Sequence, residues 1–206
     1  RKKVTIIDYG MGNLKSLYNA FEFIGAKVTT TNNIDDIYKS EITVLPGVGS
    51  YQKAMKEIKD KNIDEAIYRI IEKGNYLLCI CLGMQLLGSS SNEGKYTKGL
   101  NIVKNKVKKF TTKETKKNDI PHVGFNKVKN IGNLKVFDGI ENNSDFYFVH
   151  SYRMKPERLK KNISITNYGS DFLSYFEINN VLAAQFHPEK SQSNGIRFLT
   201  NFLKLT

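Results

Sequence analysis

The chain has 206 residues and a formal net charge of +12, from 32 Lys and Arg against 20 Asp and Glu. That length supports a sizeable core, and a single domain over residues 1–206 is expected. No run approaches the ~18 apolar residues of a membrane span, and the sequence enters a strand pattern directly, so a cytoplasmic protein without membrane association is expected.

Val4-Thr5-Ile6-Ile7-Asp8 reads as a strand, followed by the loop Tyr9-Gly10-Met11-Gly12-Asn13. A helical pattern then runs through Leu17, Ala20, Phe21 and Ile24 and ends at Gly25. Gly10-x-Gly12 opens like a dinucleotide fingerprint, but the third glycine is missing. No acidic residue closes the next strand, Lys27-Val28-Thr29-Thr30, so no nucleotide cofactor is expected. Strand, loop, helix and strand in that order imply a parallel sheet, because parallel neighbours need a crossover.

The third strand, Ile42-Thr43-Val44-Leu45, ends in Pro46-Gly47-Val48-Gly49-Ser50. Glycines on both sides of Val48 let the backbone approach a ligand and offer its N–H groups, as an oxyanion hole requires. An ordinary turn after a strand is the competing reading. Helical patterns follow at residues 54–58 and 63–71.

Tyr76-Leu77-Leu78-Cys79-Ile80 is a continuous apolar run of the kind that forms a strand buried on both faces, and Leu82-Gly83-Met84-Gln85-Leu86-Leu87 begins a helix. Cys81 sits at the corner. A sharp strand-to-helix turn pushes a nucleophile out above the sheet and leaves backbone N–H donors beside it. Free cysteines in an apolar run are commonly core residues, and Cys79 is assigned there. The two cysteines, one residue apart, cannot readily bridge each other, which points to a reducing compartment. Their spacing is also narrower than structural zinc sites prefer, so no metal is expected.

After Gly99 the texture changes to short strands with turn signals: Asn101-Ile102-Val103, Val123-Gly124-Phe125, Phe146-Tyr147-Phe148-Val149, Ile163-Ser164-Ile165-Thr166 and Phe172-Leu173-Ser174-Tyr175-Phe176. The expected fold is therefore α/β: a wound, mostly parallel central sheet with helices on both faces, extended by antiparallel strands in the C-terminal half. Lysines thicken at Lys104, Lys106, Lys108, Lys109, Lys113, Lys116 and Lys117. The segment lacks the stacking aromatics of single-strand binders, so it reads as a solvated hairpin, residues 111–119 as an exposed loop, and no nucleic acid is expected.

Val181-Leu182-Ala183-Ala184-Gln185-Phe186 is another apolar strand, running into His187-Pro188-Glu189-Lys190-Ser191. Residues two apart on an extended backbone face the same way, and Pro188 is read as holding it extended, so Glu189 would orient the His187 imidazole. Cys81, His187 and Glu189 then supply nucleophile, base and orienting acid for acyl transfer, with Leu82 and the Gly47-Val48-Gly49 loop holding the oxyanion. His122 and His150, with no carboxylate two residues on, are assigned structural roles. A final helix spans residues 195–205.

Pro46-Gly47-Val48-Gly49, Cys81-Leu82-Gly83-Met84-Gln85, Pro121-His122-Val123-Gly124-Phe125-Asn126, Phe148-Val149-His150-Ser151-Tyr152 and Gln185-Phe186-His187-Pro188-Glu189-Lys190-Ser191 occur in this order over nearly the whole chain. In them the chain resembles the class I (triad) glutamine amidotransferases, and within these the glutaminase subunits of imidazole glycerol phosphate synthesis. The resemblance implies hydrolysis of glutamine to glutamate and ammonia through a thioester on Cys81, without a cofactor, and passage of the ammonia to a (β/α)₈ cyclase partner in the histidine pathway. It assigns Gln85, Ser151 and Tyr152 to the ends of glutamine, and Asn13, Phe125 and Lys190 to the partner-facing surface. Two positions depart from the pattern: Cys79 stands where the family usually has glycine, and Phe125 where it usually has tryptophan. A paralogous group, similar in these motifs, feeds ammonia to sugar amidotransferases and is the alternative enzyme reading. A non-catalytic binding module on the same fold is the third.

Overall fold

The computed structural model describes residues 1–206. In chain order the strands are β1 (Lys3–Ile7), β2 (Lys27–Thr31), β3 (Ile42–Leu45), β4 (Tyr76–Ile80), β5 (Ser90–Ser91), β6 (Thr97–Lys98), β7 (Lys106–Lys109), β8 (His122–Ile131), β9 (Ser144–His150), β10 (Tyr152–Arg153), β11 (Ile163–Tyr168), β12 (Ser170–Ile178) and β13 (Val181–Ala184). The helices are α1 (Lys15–Phe23), α2 (Ile34–Lys39), α3 (Tyr51–Asp60), α4 (Ile63–Glu72), α5 (Leu82–Leu86) and α6 (Gln192–Leu205).

Nine strands form one sheet in the order β2-β1-β3-β4-β13-β12-β11-β8-β9. The first five pair in parallel and the last five antiparallel, as the sequence implies. β4 sits at the centre, with Leu77, Leu78 and Cys79 fully buried. Leu78 and Ile80 face a core that includes Phe21 of α1 and Phe198 and Phe202 of α6, while Leu77 and Cys79 face the core formed with α3 and α4. A strand covered on both faces needs an unbroken apolar run, which is why β4 shows no alternation. Each such side chain contributes about 1.5–3 kcal/mol by leaving water. Cys79 is the core residue its position suggested, and burial pushes its thiol pKa well above the ordinary value.

Four features differ from the sequence expectation. Asn101-Ile102-Val103 forms no strand; Asn101 takes φ 56° and the Val103 N–H donates to Leu87 O, pinning the segment against the end of α5. The short helix α2 escaped its periodicity, although Asn33 caps it by accepting from the Asp35 and Asp36 N–H groups. A small second sheet, β10-β7-β5-β6, was also not foreseen. In the expected solvated segment, residues 111–119, Thr115 is fully buried and Glu114 pairs with the buried Arg153 and with Lys155. No helix is long and apolar enough to cross a membrane.

Candidate functional site

The C-terminal ends of β3, β4 and β13 converge on one corner of the sheet, the edge at which open α/β sheets bind ligands. Cys81 joins β4 to α5 with φ 55° and ψ −113°, a conformation that costs a non-glycine residue about 1–3 kcal/mol and persists only where its surroundings dictate it. Here they do. The Cys81 N–H donates to Ala184 O of β13 at 2.7 Å, and the Gln85 N–H closes the first turn of α5 on Cys81 O at 3.2 Å. At Gly83 a Cβ would lie 2.0 Å from Leu45 O, so only glycine lets α5 settle onto the end of β3.

The register Ala184↔Ile80 carries β13 alongside β4 and brings residues 185–189 next to Cys81. His187 Nδ1 and Glu189 Oε1 are 2.8 Å apart, both side chains being nearly fully buried. The local reason differs from the one read in the sequence. His187 itself is extended, but Pro188–Lys190 is a 3₁₀ turn and not an extended segment, and the turn swings Glu189 back onto the imidazole. The Ser191 hydroxyl locks this turn by donating to His187 O at 2.6 Å, and the His187 N–H donates to Tyr147 O.

Burial alone would lower the His187 pKa. The Cys81 sulfur and the hydrogen-bonded Glu189 outweigh it and hold the imidazole pushed up to about 10. Its Nε2 is buried and has no hydrogen-bond partner, as does Glu189 Oε2. Cys81 itself is 5% exposed. The structure thus brings together the three residues that the sequence singled out as nucleophile, base and orienting acid.

The expected oxyanion donors stand differently. The Leu82 N–H donates to Gly47 O at 3.3 Å, so the loop after β3 turns a carbonyl, not an N–H, towards the elbow. Tyr9 fixes that loop by donating its hydroxyl to Pro46 O at 2.6 Å, and a Cβ at Gly47 would collide with the Tyr9 oxygen at 2.3 Å. Val48 is 42% exposed and Gly49 has φ 105°.

Gln85 is buried, and its Nε2 donates to Tyr152 O and to Gln185 Oε1, both at 3.0 Å, which leaves Oε1 as its remaining polar atom. Ser151 O accepts from the Phe110 N–H, and the Tyr152 side chain is half-buried. Phe125 is 49% exposed; its ring meets Tyr147 edge to face at 5.5 Å, and Lys190 Nζ lies 5.9 Å from that tyrosine ring. Phe125 and Lys190 therefore share one surface patch. Asn13 is exposed, and its Oδ1 accepts from the Lys15 N–H before α1.

His122 and His150 lie outside the triad, buried against Phe148, Phe110 and Tyr168. Burial holds their pKa values down to about 4 and about 3. Sequence reasoning missed Gln185, whose Nε2 lies 3.7 Å from Cys81 Sγ. Its place two residues before His187 was the available signal. A cavity of about 970 Å³ opens at the opposite edge of the sheet among Lys3, Lys27, Lys39 and Tyr76 and holds none of these residues.

Comparison with known proteins agrees with this geometry. Residues 5–205 match the family described as glutamine amidotransferase class-I. The chain is 42% identical over 202 residues to the imidazole glycerol phosphate synthase subunit HisH of Methanocaldococcus jannaschii, covering 98% of this chain and 99% of the relative. It is 40% identical over 201 residues to HisH of Aquifex aeolicus, covering 97% and 95% respectively. Among solved structures, PurLQS from Thermotoga maritima superposes with a TM-score of 0.73 at 17% identity over 100% of this chain and 99% of that one. A putative GMP synthase subunit from Thermoplasma acidophilum gives 0.71 at 16% identity, over 99% and 93%.

Proposed function

The chain belongs to the glutamine amidotransferase class-I family, and we infer that it is the glutaminase subunit of an imidazole glycerol phosphate synthase in histidine biosynthesis, releasing ammonia from glutamine for a cyclase partner. The observation that carries this reading is a strained cysteine elbow beside a buried, carboxylate-bound imidazole.

Glutamine enters with its side-chain amide over Cys81, its α-ammonium on Gln85 Oε1 and its carboxylate towards Ser151 and Tyr152. Sγ attacks the amide carbon with the proton it has given up already held on His187 Nε2, as the raised pKa of that ring requires. Glu189 holds the other ring nitrogen, fixing the imidazole's orientation and favouring the imidazolium that forms. The imidazolium then gives its proton to the amide nitrogen, the C–N bond breaks, and ammonia leaves a glutamyl thioester. Water attacks the thioester with His187 taking its proton, and the C–S bond breaks to release glutamate, leaving the sulfur beside the protonated His187 for the next turnover.

The tetrahedral oxyanion calls for the Leu82 N–H and an N–H from the Gly47-Val48-Gly49 loop, each worth on the order of 3 kcal/mol. Because Gly47 O occupies the Leu82 donor, hydrolysis in the isolated chain is slow, and a change in the loop is needed to raise it. Phe125 and Lys190, with Asn13, are the proposed contacts for the partner.

Co-purification from the native cell tests the assignment. Recovery of a (β/α)₈ cyclase, with ammonia release that rises in its presence and vanishes in Cys81→Ala, supports it. Recovery of an ATP-dependent sugar amidotransferase instead would transfer the chain to the paralogous role.

A further inference from the structure

Two buried histidines face each other across the β8 and β9 pairing, with His122 Nδ1 and His150 Nε2 3.0 Å apart. The protons on this pair can be assigned from its ends. His150 Nδ1 lies 2.8 Å from Tyr152 O, and a carbonyl only accepts, so Nδ1 carries the proton and Nε2 of a neutral ring accepts. The donor within the pair is then His122 Nδ1. That leaves His122 Nε2 as an acceptor, and it meets Asn126 Nδ2 at 3.1 Å.

The same carbonyl fixes the other side. Tyr152 O also accepts from Gln85 Nε2, which settles how that amide is turned, and the second N–H of the same nitrogen points to Gln185 Oε1. Gln185, fully buried, must therefore present its Nε2 to Cys81 Sγ. Turning either amide over would set two donors or two acceptors against each other. Val149, the neighbour of His150, places its carbonyl 4.0 Å from Sγ, so the strand of the histidine pair also reaches the sulfur directly.

The pattern holds only while both rings are neutral. Burial keeps them so, and for His150 it outweighs the hydrogen bond to Tyr152 O, which acts the other way, with help from the charges of His187 and Arg153.

We propose that Gln185 is a positioning residue for the Cys81 sulfur, and that its own orientation is set by a continuous line of hydrogen bonds through Gln85, Tyr152 O, His150 and His122 to Asn126. The outer end of the line lies on β8, one residue from the exposed Phe125, so a disturbance of that surface has a physical route to the nucleophile. The proposal rests on the glutaminase reading only in taking Cys81 as the nucleophile.

The test uses Gln185→Met, which keeps length and volume and removes the donor. Alkylation of Cys81 by iodoacetamide, mapped by mass spectrometry, is expected to slow on the order of tenfold, because the sulfur loses a fixed rotamer. For glutamine hydrolysis, kcat should fall by a larger factor than KM rises, since Gln185 does not touch substrate and Gln85, which loses the Gln185 acceptor, keeps its bond to Tyr152 O. A residue that only filled space would move neither the alkylation rate nor kcat. Should this variant not fold, Asn126→Ala at a half-buried position serves: loss of its donor frees the His122 tautomer, and alkylation should slow several-fold. Nitrogen-15 NMR of the unmodified chain should show both rings neutral and protonated on Nδ1 between pH 6 and 8. An alkylation rate unchanged in whichever variant folds, or an Nε2 proton on either ring, overturns the proposal. Iodoacetamide needs no glutamine site, so an unmodified chain inert towards glutamine, with alkylation that still depends on Gln185, would sink the glutaminase reading and uphold the positioning line.

Discussion

Acidification should destabilise this fold well above the pH at which carboxylates titrate, because two neutral histidines are sealed inside it. His122 is lowered from its ordinary 6.5 to about 4 and His150 to about 3, in both cases chiefly by burial. Both folded-state values lie below the unfolded one, so the stability of the pair is whole above pH 6.5 and is lost as the pH falls. Each ring costs about 1.4 kcal/mol per pH unit once the unfolded chain binds a proton that the folded chain refuses. With incomplete protonation of the unfolded chain at pH 6, the two together remove about 2.4 kcal/mol between pH 6 and pH 5. His187, raised to about 10, is protonated in the folded state across that interval and nearly so in the unfolded one, and returns only ~0.2 kcal/mol. The chain has no tryptophan, so urea unfolding followed by far-UV circular dichroism at pH 7, 6 and 5 is the suitable assay. A loss below about 1 kcal/mol between pH 6 and pH 5 would refute the idea of two neutral, proton-refusing rings.

Glu189→Gln removes a contribution that holds the His187 imidazolium, so the burial that opposes it gains weight and the His187 pKa should fall, as read by NMR titration of the ring. The same variant should lower kcat by a factor on the order of 10² to 10⁴; an unshifted ring would separate Glu189 from the imidazole. Glu114→Gln leaves the Arg153 guanidinium buried without its carboxylate and should cost about 3 kcal/mol at pH 7. Burial acts to raise the Glu114 pKa, but bonds from Arg153, Lys155 and Thr111 outweigh it and hold the carboxyl at about 2. Its stabilisation is therefore present above the unfolded carboxylate value and fades as the pH falls towards 2, so the gap in Tm between the two proteins should narrow from pH 5 to pH 3. A gap that stays constant would remove the carboxylate from the account.

Much of this was legible in the sequence because the signals were strong and local. The unbroken apolar run of β4, the corner at Cys81 and the strand leading to His187 each carry a pattern that tertiary packing only reinforces. The site's finer geometry was not legible. Pro188 suggested an extended backbone, yet Ser191 closes a turn there through a hydrogen bond that no periodicity announces. Gly47 promised an N–H to the oxyanion, but its carbonyl accepts from the Leu82 N–H while the Tyr9 hydroxyl holds the preceding Pro46 carbonyl, contacts that no local pattern announces. Lys106 and Lys108 read as part of a solvated stretch because Arg153, which pairs with Lys108 across the strands and with the nearby Glu114, sits far away in sequence. His122 and His150 looked like isolated structural residues, and only the β8 and β9 register puts them in contact.

The measurement that bears most directly on the central claim is covalent labelling with a glutamine-mimicking electrophile, mapped by mass spectrometry with and without the partner. The account predicts one adduct, on Cys81 and not on the buried Cys79, suppressed by glutamine and lost in His187→Ala. An unlabelled Cys81 in the assembled complex, together with ammonia release that survives Cys81→Ala, would contradict it.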